Sequence, residues 1–209
     1  MLEKRKPLRK RRFKILSLSR ISPPTLLAFF LGCGIGFVLY PSVNPQWSDS
    51  STEKAPIRAC FSPQGHCTDR IVSSIRKAKS SILVAAYSFT SPPIAEALVN
   101  AFERGVNVKV LIDKSQLKER YSQLSFLLQK GIPVFIDPAV GIAHNKIMIF
   151  DGRYVLTGSF NFSRAAESKN AENLLLIDDP SLAQIYKKNW EERASHAKPV
   201  RIARKMRKE

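Results

Sequence analysis

His144-Asn145-Lys146-Ile147-Met148-Ile149-Phe150-Asp151, joined after six residues to Gly158-Ser159-Phe160-Asn161, is the stretch that decides how this chain folds and what chemistry it can carry. As a pattern it reads H-x-K-x4-D-x6-G-S-x-N. The apolar run Ile147 to Phe150 ends at the turn pair Asp151-Gly152, which predicts a buried strand over 144–150. Side chains alternate across a strand, so His144 and Lys146 fall on one face, two residue rises apart. A phosphoryl group in transfer carries spread negative charge and needs cations and hydrogen-bond donors already aimed at its oxygens. Lys146 and Asn161 offer a cation and an amide donor, and Ser159 a hydroxyl. Neutral imidazole is a good nucleophile near pH 7, so His144 could divide one hard displacement into two easier ones through a phosphohistidine. A lone H-x-K is usually an ordinary strand-end pair; six positions held in one pattern outweigh that reading.

Outward from this strand the chain alternates. Helices are predicted over 68–79, 92–104 and 116–130, with strands over 81–87, 106–112 and 132–136 between them. After the motif strand come a strand at Tyr154 to Thr157, a loop 158–163, a strand at Leu174 to Ile177 with Glu172 just before it, and a helix over 180–192. In that helix Leu182, Ile185, Tyr186 and Trp190 are read as core contacts. Strands alternating with helices indicate an α/β domain, expected here as a mixed, mostly parallel sheet flanked by helices over 59–192.

The quoted residues resemble the HKD motif of the phospholipase D superfamily. Gly158 to Ser163 (GSFNFS) and Asn170-Ala171-Glu172-Asn173 resemble its small single-motif members: a periplasmic endonuclease, the mitochondrial cardiolipin hydrolases and the short secreted phospholipases D of rickettsial type. The similarity runs from about Cys60 to Trp190. It implies a phospholipase D-like domain and a phosphodiesterase needing no metal or other cofactor. Within it His144 is nucleophile or general acid, Lys146, Asn161 and Ser159 contact phosphate oxygens, and Glu172 orients the histidine through its other nitrogen. Asp151, at the far end of the strand, is read as structural.

The reaction needs one group to attack and another to protonate the leaving oxygen. The chain has no second H-x-K, and its other histidines, His66 and His196, lie outside any motif. The resemblance implies the solution: a homodimer in which two copies share one site, one histidine attacking and its symmetry mate acting as acid. Phospholipid and nucleic acid are both phosphodiesters, and the motif does not choose between them. Resemblance to the secreted phospholipase D type in Cys60 to Cys67 and Gly141 to Lys146 favours lipid; resemblance to the endonuclease type around Tyr87-Ser88-Phe89-Thr90 favours DNA or RNA. A membrane-anchored binding protein without turnover is disfavoured, because every motif position is filled.

The net charge of +17 points to nucleic acid only until it is located. Residues 1–20 carry +8 and residues 193–209 carry +6, leaving +3 for everything between. Residues 1–20 read as a basic cytoplasmic tail, and 193–209 as a basic tail that is either merely solvated or attracted to anionic lipid or nucleic acid. The uncharged span Ile21 to Gln46 reads as a signal anchor, with a cleavable signal peptide as the alternative; either exports the rest, to the periplasmic face of an inner membrane or beyond. Residues 47–58 read as a linker. Cys60 and Cys67 are a disulfide pair in an oxidising compartment and free thiols otherwise.

Overall fold

The computed structural model describes residues 56–201. The expected basic tail 1–20, the signal anchor 21–46, Cys33, most of the linker and the last eight residues lie outside the described residues. Among the described residues, no helix is long and apolar enough to cross a membrane.

Eight strands form one sheet: β1 (Ile57–Ser62), β2 (Ser81–Ala86), β3 (Asn107–Ile112), β4 (Val134–Ile136), β5 (Lys146–Phe150), β6 (Tyr154–Gly158), β7 (Glu172–Asp178) and β8 (Lys198–Pro199). Their order across the sheet is β1-β7-β6-β5-β2-β3-β4-β8. The helices are α1 (Cys67–Lys77), α2 (Pro92–Glu103), α3 (Leu124–Gln129), α4 (Arg164–Ser168) and α5 (Pro180–His196).

Only β2/β3 and β3/β4 pair parallel; the other five ladders are antiparallel, so the expected mostly parallel sheet is corrected to a mostly antiparallel mixed one. The cause is the connection length. Parallel neighbours need a crossover helix, and only α2 and α3 supply one. Between β5 and β6 there are three residues, with Asp151 and Gly152 at positive φ (54° and 64°), so the chain can only turn back as a hairpin.

Strand period distributes the core between the two faces. Ile82, Val84, Val108, Val110, Met148 and Phe150 face the cluster under α1, α2 and α3, while Ala85, Leu111, Ile149 and Val155 meet Ala183 and Trp190 of α5. The Trp190 indole donates to the Val84 carbonyl at 2.8 Å, pinning α5 to the middle of the sheet.

Several boundaries moved. Ile57 and Arg58, read as linker, begin an edge strand that pairs along its whole length with β7, and Cys60 and Cys67 form a disulfide between that strand and the first residue of α1. Closing this short loop is worth about 2.5 kcal/mol on the chain-entropy account. The single helix expected over 116–130 is broken into a 3-10 turn (Lys114–Leu117) and α3, because Asp113 caps the turn through Ser115 N–H at 2.8 Å and the chain then loops outward. Ile185 is 66% exposed rather than core: the buried stripe of α5 runs through Leu182, Ala183, Tyr186 and Trp190, and Ile185 falls beside it. α5 continues past 192 to His196, Arg193 donates to buried Asp137 at 2.7 Å, and Lys198 and Pro199 add the last strand, so this part of the basic tail is folded.

Candidate active site

The sheet is split at its centre by the β5/β2 seam, where Lys146 pairs with Ala86 at the carboxyl end of β2. The motif sits at this end. Its strand begins at Lys146, two residues later than expected, so His144 lies in the preceding loop. That loop is held in place: Asp113 accepts from Ala143 N–H at 2.8 Å, and Tyr87 N–H donates to the Asn145 carbonyl at 2.8 Å. His144 is exposed and Lys146 is buried.

The Lys146 ammonium donates to the His144 carbonyl at 2.9 Å and lies 3.1 and 3.2 Å from the two ring nitrogens. Burial pushes the Lys146 pKa below its ordinary value, and the negative charge of Glu172 opposes that shift in part. Lys146 is thus placed to donate to a ring nitrogen of His144 as well as to its carbonyl. The Tyr87 ring packs against the imidazole at 4.5 Å between centroids, tilted by 50°, and the Lys146 ammonium lies 5.0 Å from the same ring. Tyr87 therefore touches both reacting groups.

Gly158 ends β6 at φ 151°, and a Cβ there would collide with the Asn173 carbonyl. With glycine in place, Ser159 and Phe160 N–H both donate to that carbonyl, at 3.1 and 3.2 Å, and the motif loop lies flat against β7. Ser159 Oγ donates to Glu172 at 2.6 Å, and the other Glu172 oxygen accepts from Asn170 at 2.9 Å. Glu172 is thus engaged by Ser159 and Asn170, and within one chain it makes no hydrogen bond to His144. Asn161 is flanked by buried Phe160 and Phe162, its amide Oδ1 is buried, and no described residue hydrogen-bonds that atom.

Asp151 lies at the opposite end of β5. Its carboxylate accepts from Lys79, Ser80 and Ser81 N–H and from the Ser80 hydroxyl, at 2.7 to 3.1 Å. Burial works to raise its pKa, but these bonds outweigh it and hold the carboxyl below its ordinary value. It closes the start of β2 and takes no part in the cleft.

An open cleft of about 330 Å³ is lined by His144, Asn145, Lys146, Ile147, Thr157, Gly158, Tyr186 and Asn189. Asn161, Ser159 and Glu172 do not line it. The structure thus joins His144 to Lys146 and Ser159 to Glu172, the two pairs being linked by the charge of Glu172 on Lys146. His66 is beside Asp69 at the start of α1 and His196 ends α5; neither lines the cleft. Sequence reasoning missed Tyr87, Thr157, Asn189 and the cleft-facing role of Tyr186. Tyr87 had a usable signal, since it directly follows the carboxyl end of a parallel strand, where ligands of open α/β sheets bind.

The family described as "Cardiolipin synthase, PLD-like domain" matches residues 71–194. The chain belongs to the phospholipase D superfamily. It is 44% identical over 154 residues to Phospholipase D of Rickettsia prowazekii, covering 74% of this chain and 75% of that one. It is 32% identical over 140 residues to Mitochondrial cardiolipin hydrolase of Xenopus laevis, covering 66% and 67%. The crystal structure of Nuc, a phospholipase D family member from Salmonella typhimurium, superposes with a TM-score of 0.68 at 39% identity, over 71% of this chain and all of Nuc.

Proposed function

We propose that this phospholipase D-superfamily phosphodiesterase hydrolyses the headgroup phosphodiester of a phospholipid, working as a homodimer on the exported side of a membrane. The observation that carries the chemistry is exposed His144 beside buried Lys146 at the mouth of an open cleft. His144 attacks phosphorus, the nitrogen–phosphorus bond forms, and the bond to the headgroup oxygen breaks. That oxygen takes its proton from an imidazolium, which then removes a proton from the water that attacks the phosphohistidine and frees His144. Phosphatidate and the free headgroup are the products.

Neither other histidine lines the cleft, so the second imidazole is assigned to His144 of a second copy. In such a pair Glu172, unattached to its own His144, is free to orient the partner's His144 through the nitrogen that does not attack. Lys146 and Asn161 hold phosphate oxygens, and Ser159 keeps Glu172 in place. Lipid is preferred because the relatives in Rickettsia and Xenopus are named for phospholipase D and cardiolipin hydrolysis, while the domain between the tails carries little net charge. The Cys60–Cys67 disulfide supports an oxidising, exported location. Nucleic acid is the second reading, favoured by Tyr87, whose ring at the site could stack a base.

The test is release of headgroup from defined phospholipid vesicles, measured beside cleavage of single- and double-stranded nucleic acid, with the full chain. Release from vesicles that is lost in His144→Ala is the expected result. Cleavage of nucleic acid alone would overturn the lipid reading, and either activity surviving in His144→Ala would overturn the mechanism.

A further inference from the structure

Beside the catalytic end of the sheet, residues 113–123 leave β3 and return over the outside of the domain. The segment is firmly anchored. Asp113 N–H donates to the Ala86 carbonyl at 3.0 Å, one strand from Lys146, and the Asp113 carboxylate accepts from Ala143 N–H, next to His144. Buried Gln116 accepts from Phe89 N–H at 3.1 Å, and Gln123 N–H donates to the Phe89 carbonyl at 2.9 Å. Yet the side chains this anchored segment presents outward are apolar and basic. Leu117 is 56% and Tyr121 66% exposed, and Ile142, on the loop fastened by Asp113, is 62% exposed. Lys114, Lys118 and Arg120 stand exposed among them, against the single acid Glu119. Arg120 lies 5.5 Å from the Tyr121 ring.

We propose that Leu117, Tyr121 and Ile142, with Lys114, Lys118 and Arg120, dock the domain on an anionic lipid surface and bring the cleft down to the headgroups. This rests on the lipid reading above. Aliphatic and aromatic side chains enter the boundary between headgroup and acyl chain, and the cations meet lipid phosphates, the pairing that interfacial helices use. Two other occupants fit less well. A second copy meeting this patch about a two-fold axis would set its three cations against themselves. Nucleic acid would satisfy the cations and Tyr121, but offers nothing to Leu117 and Ile142.

The test places an environment-sensitive thiol label at Leu117→Cys or Ile142→Cys, in the full chain with Cys33→Ser, and a control label at Glu103→Cys. Glu103 is exposed at the far end of α2, away from the cleft. With phosphatidylglycerol vesicles carrying a lipid-borne quencher, labels at 117 and 142 should shift to the blue and be quenched about threefold more than the control, as expected of residues entering the bilayer boundary. Replacing Lys114, Lys118 and Arg120 by Glu should reduce that quenching to the control level. Quenching at 117 and 142 no greater than at 103 overturns the proposal. So does a shift produced equally by oligonucleotide, or one present without lipid and rising with protein concentration. Headgroup release from the same vesicles separates the two claims: quenching without release overturns the lipid reading of the active site alone, and release without quenching overturns the docking surface alone.

Discussion

His144 and Asp151, at the two ends of β5, are seven positions apart and obey opposite rules. At the Asp151 end a carboxylate collects three backbone N–H groups and a hydroxyl, so that its charge is fully satisfied. At the His144 end a lysine is buried with its pKa pushed down, and an exposed imidazole is held mainly by ring packing and Lys146. Satisfied polar groups hold a fold together; buried groups left partly unsatisfied are available to a substrate, at some cost to stability. One strand thus carries a structural terminus and a chemical one.

The largest effect should separate these ends most sharply. His144→Ala should lower kcat by a factor on the order of 10⁵, as loss of a nucleophile does, while the thermal midpoint stays near that of the unmodified protein. Steady-state turnover and a melting curve check both halves. Asp151→Ala should do the reverse, costing about 2–3 kcal/mol from its lost charge-assisted bonds, with turnover per folded molecule retained. Because the folded carboxyl titrates below its ordinary value, its contribution is complete above that ordinary value and is lost as pH falls through the lowered folded value. Asp151→Asn, which tolerates the positive φ at this position, should abolish that acid-dependent part in denaturant titrations.

Tyr87→Leu should reduce kcat about tenfold with little change in KM, because it removes the ring that orients His144 while leaving the phosphate contacts. A fall in KM-related binding alone would show that Tyr87 contacts substrate instead. The smallest effect is electrostatic. Glu172 raises the Lys146 pKa against the effect of burial, so Glu172→Gln should lower it further and move the alkaline limit of kcat/KM to lower pH. A pH profile, or direct titration of the lysine by NMR, reads that shift; movement to higher pH would contradict the assigned geometry.

The parallel half of the sheet was legible because apolar strand runs alternate with amphipathic helices, and that alternation can be read locally. The hairpin half was misjudged as mostly parallel despite the Asp151-Gly152 turn, because strand direction depends on which strands become neighbours. β1 escaped notice for a related reason: only Cys60 and Ser62 of its six residues are buried, so its strand identity comes from pairing with β7 rather than from an apolar pattern.

The motif residues could be named from spacing alone, since the chemistry of phosphoryl transfer restricts which side chains can serve. Their resemblance to the HKD motif gave the family and the reaction type, and the apolar run after them placed Lys146 on its strand. Tertiary structure decided what surrounds them: Tyr87 against the imidazole, Tyr186 and Asn189 across the cleft, Glu172 on Ser159 rather than its own histidine, and Asp151 sealed at the far end. Those contacts join residues 13 to 72 positions apart or bring a separate helix to the strand, and no local period encodes them. They arise only when the sheet order is set.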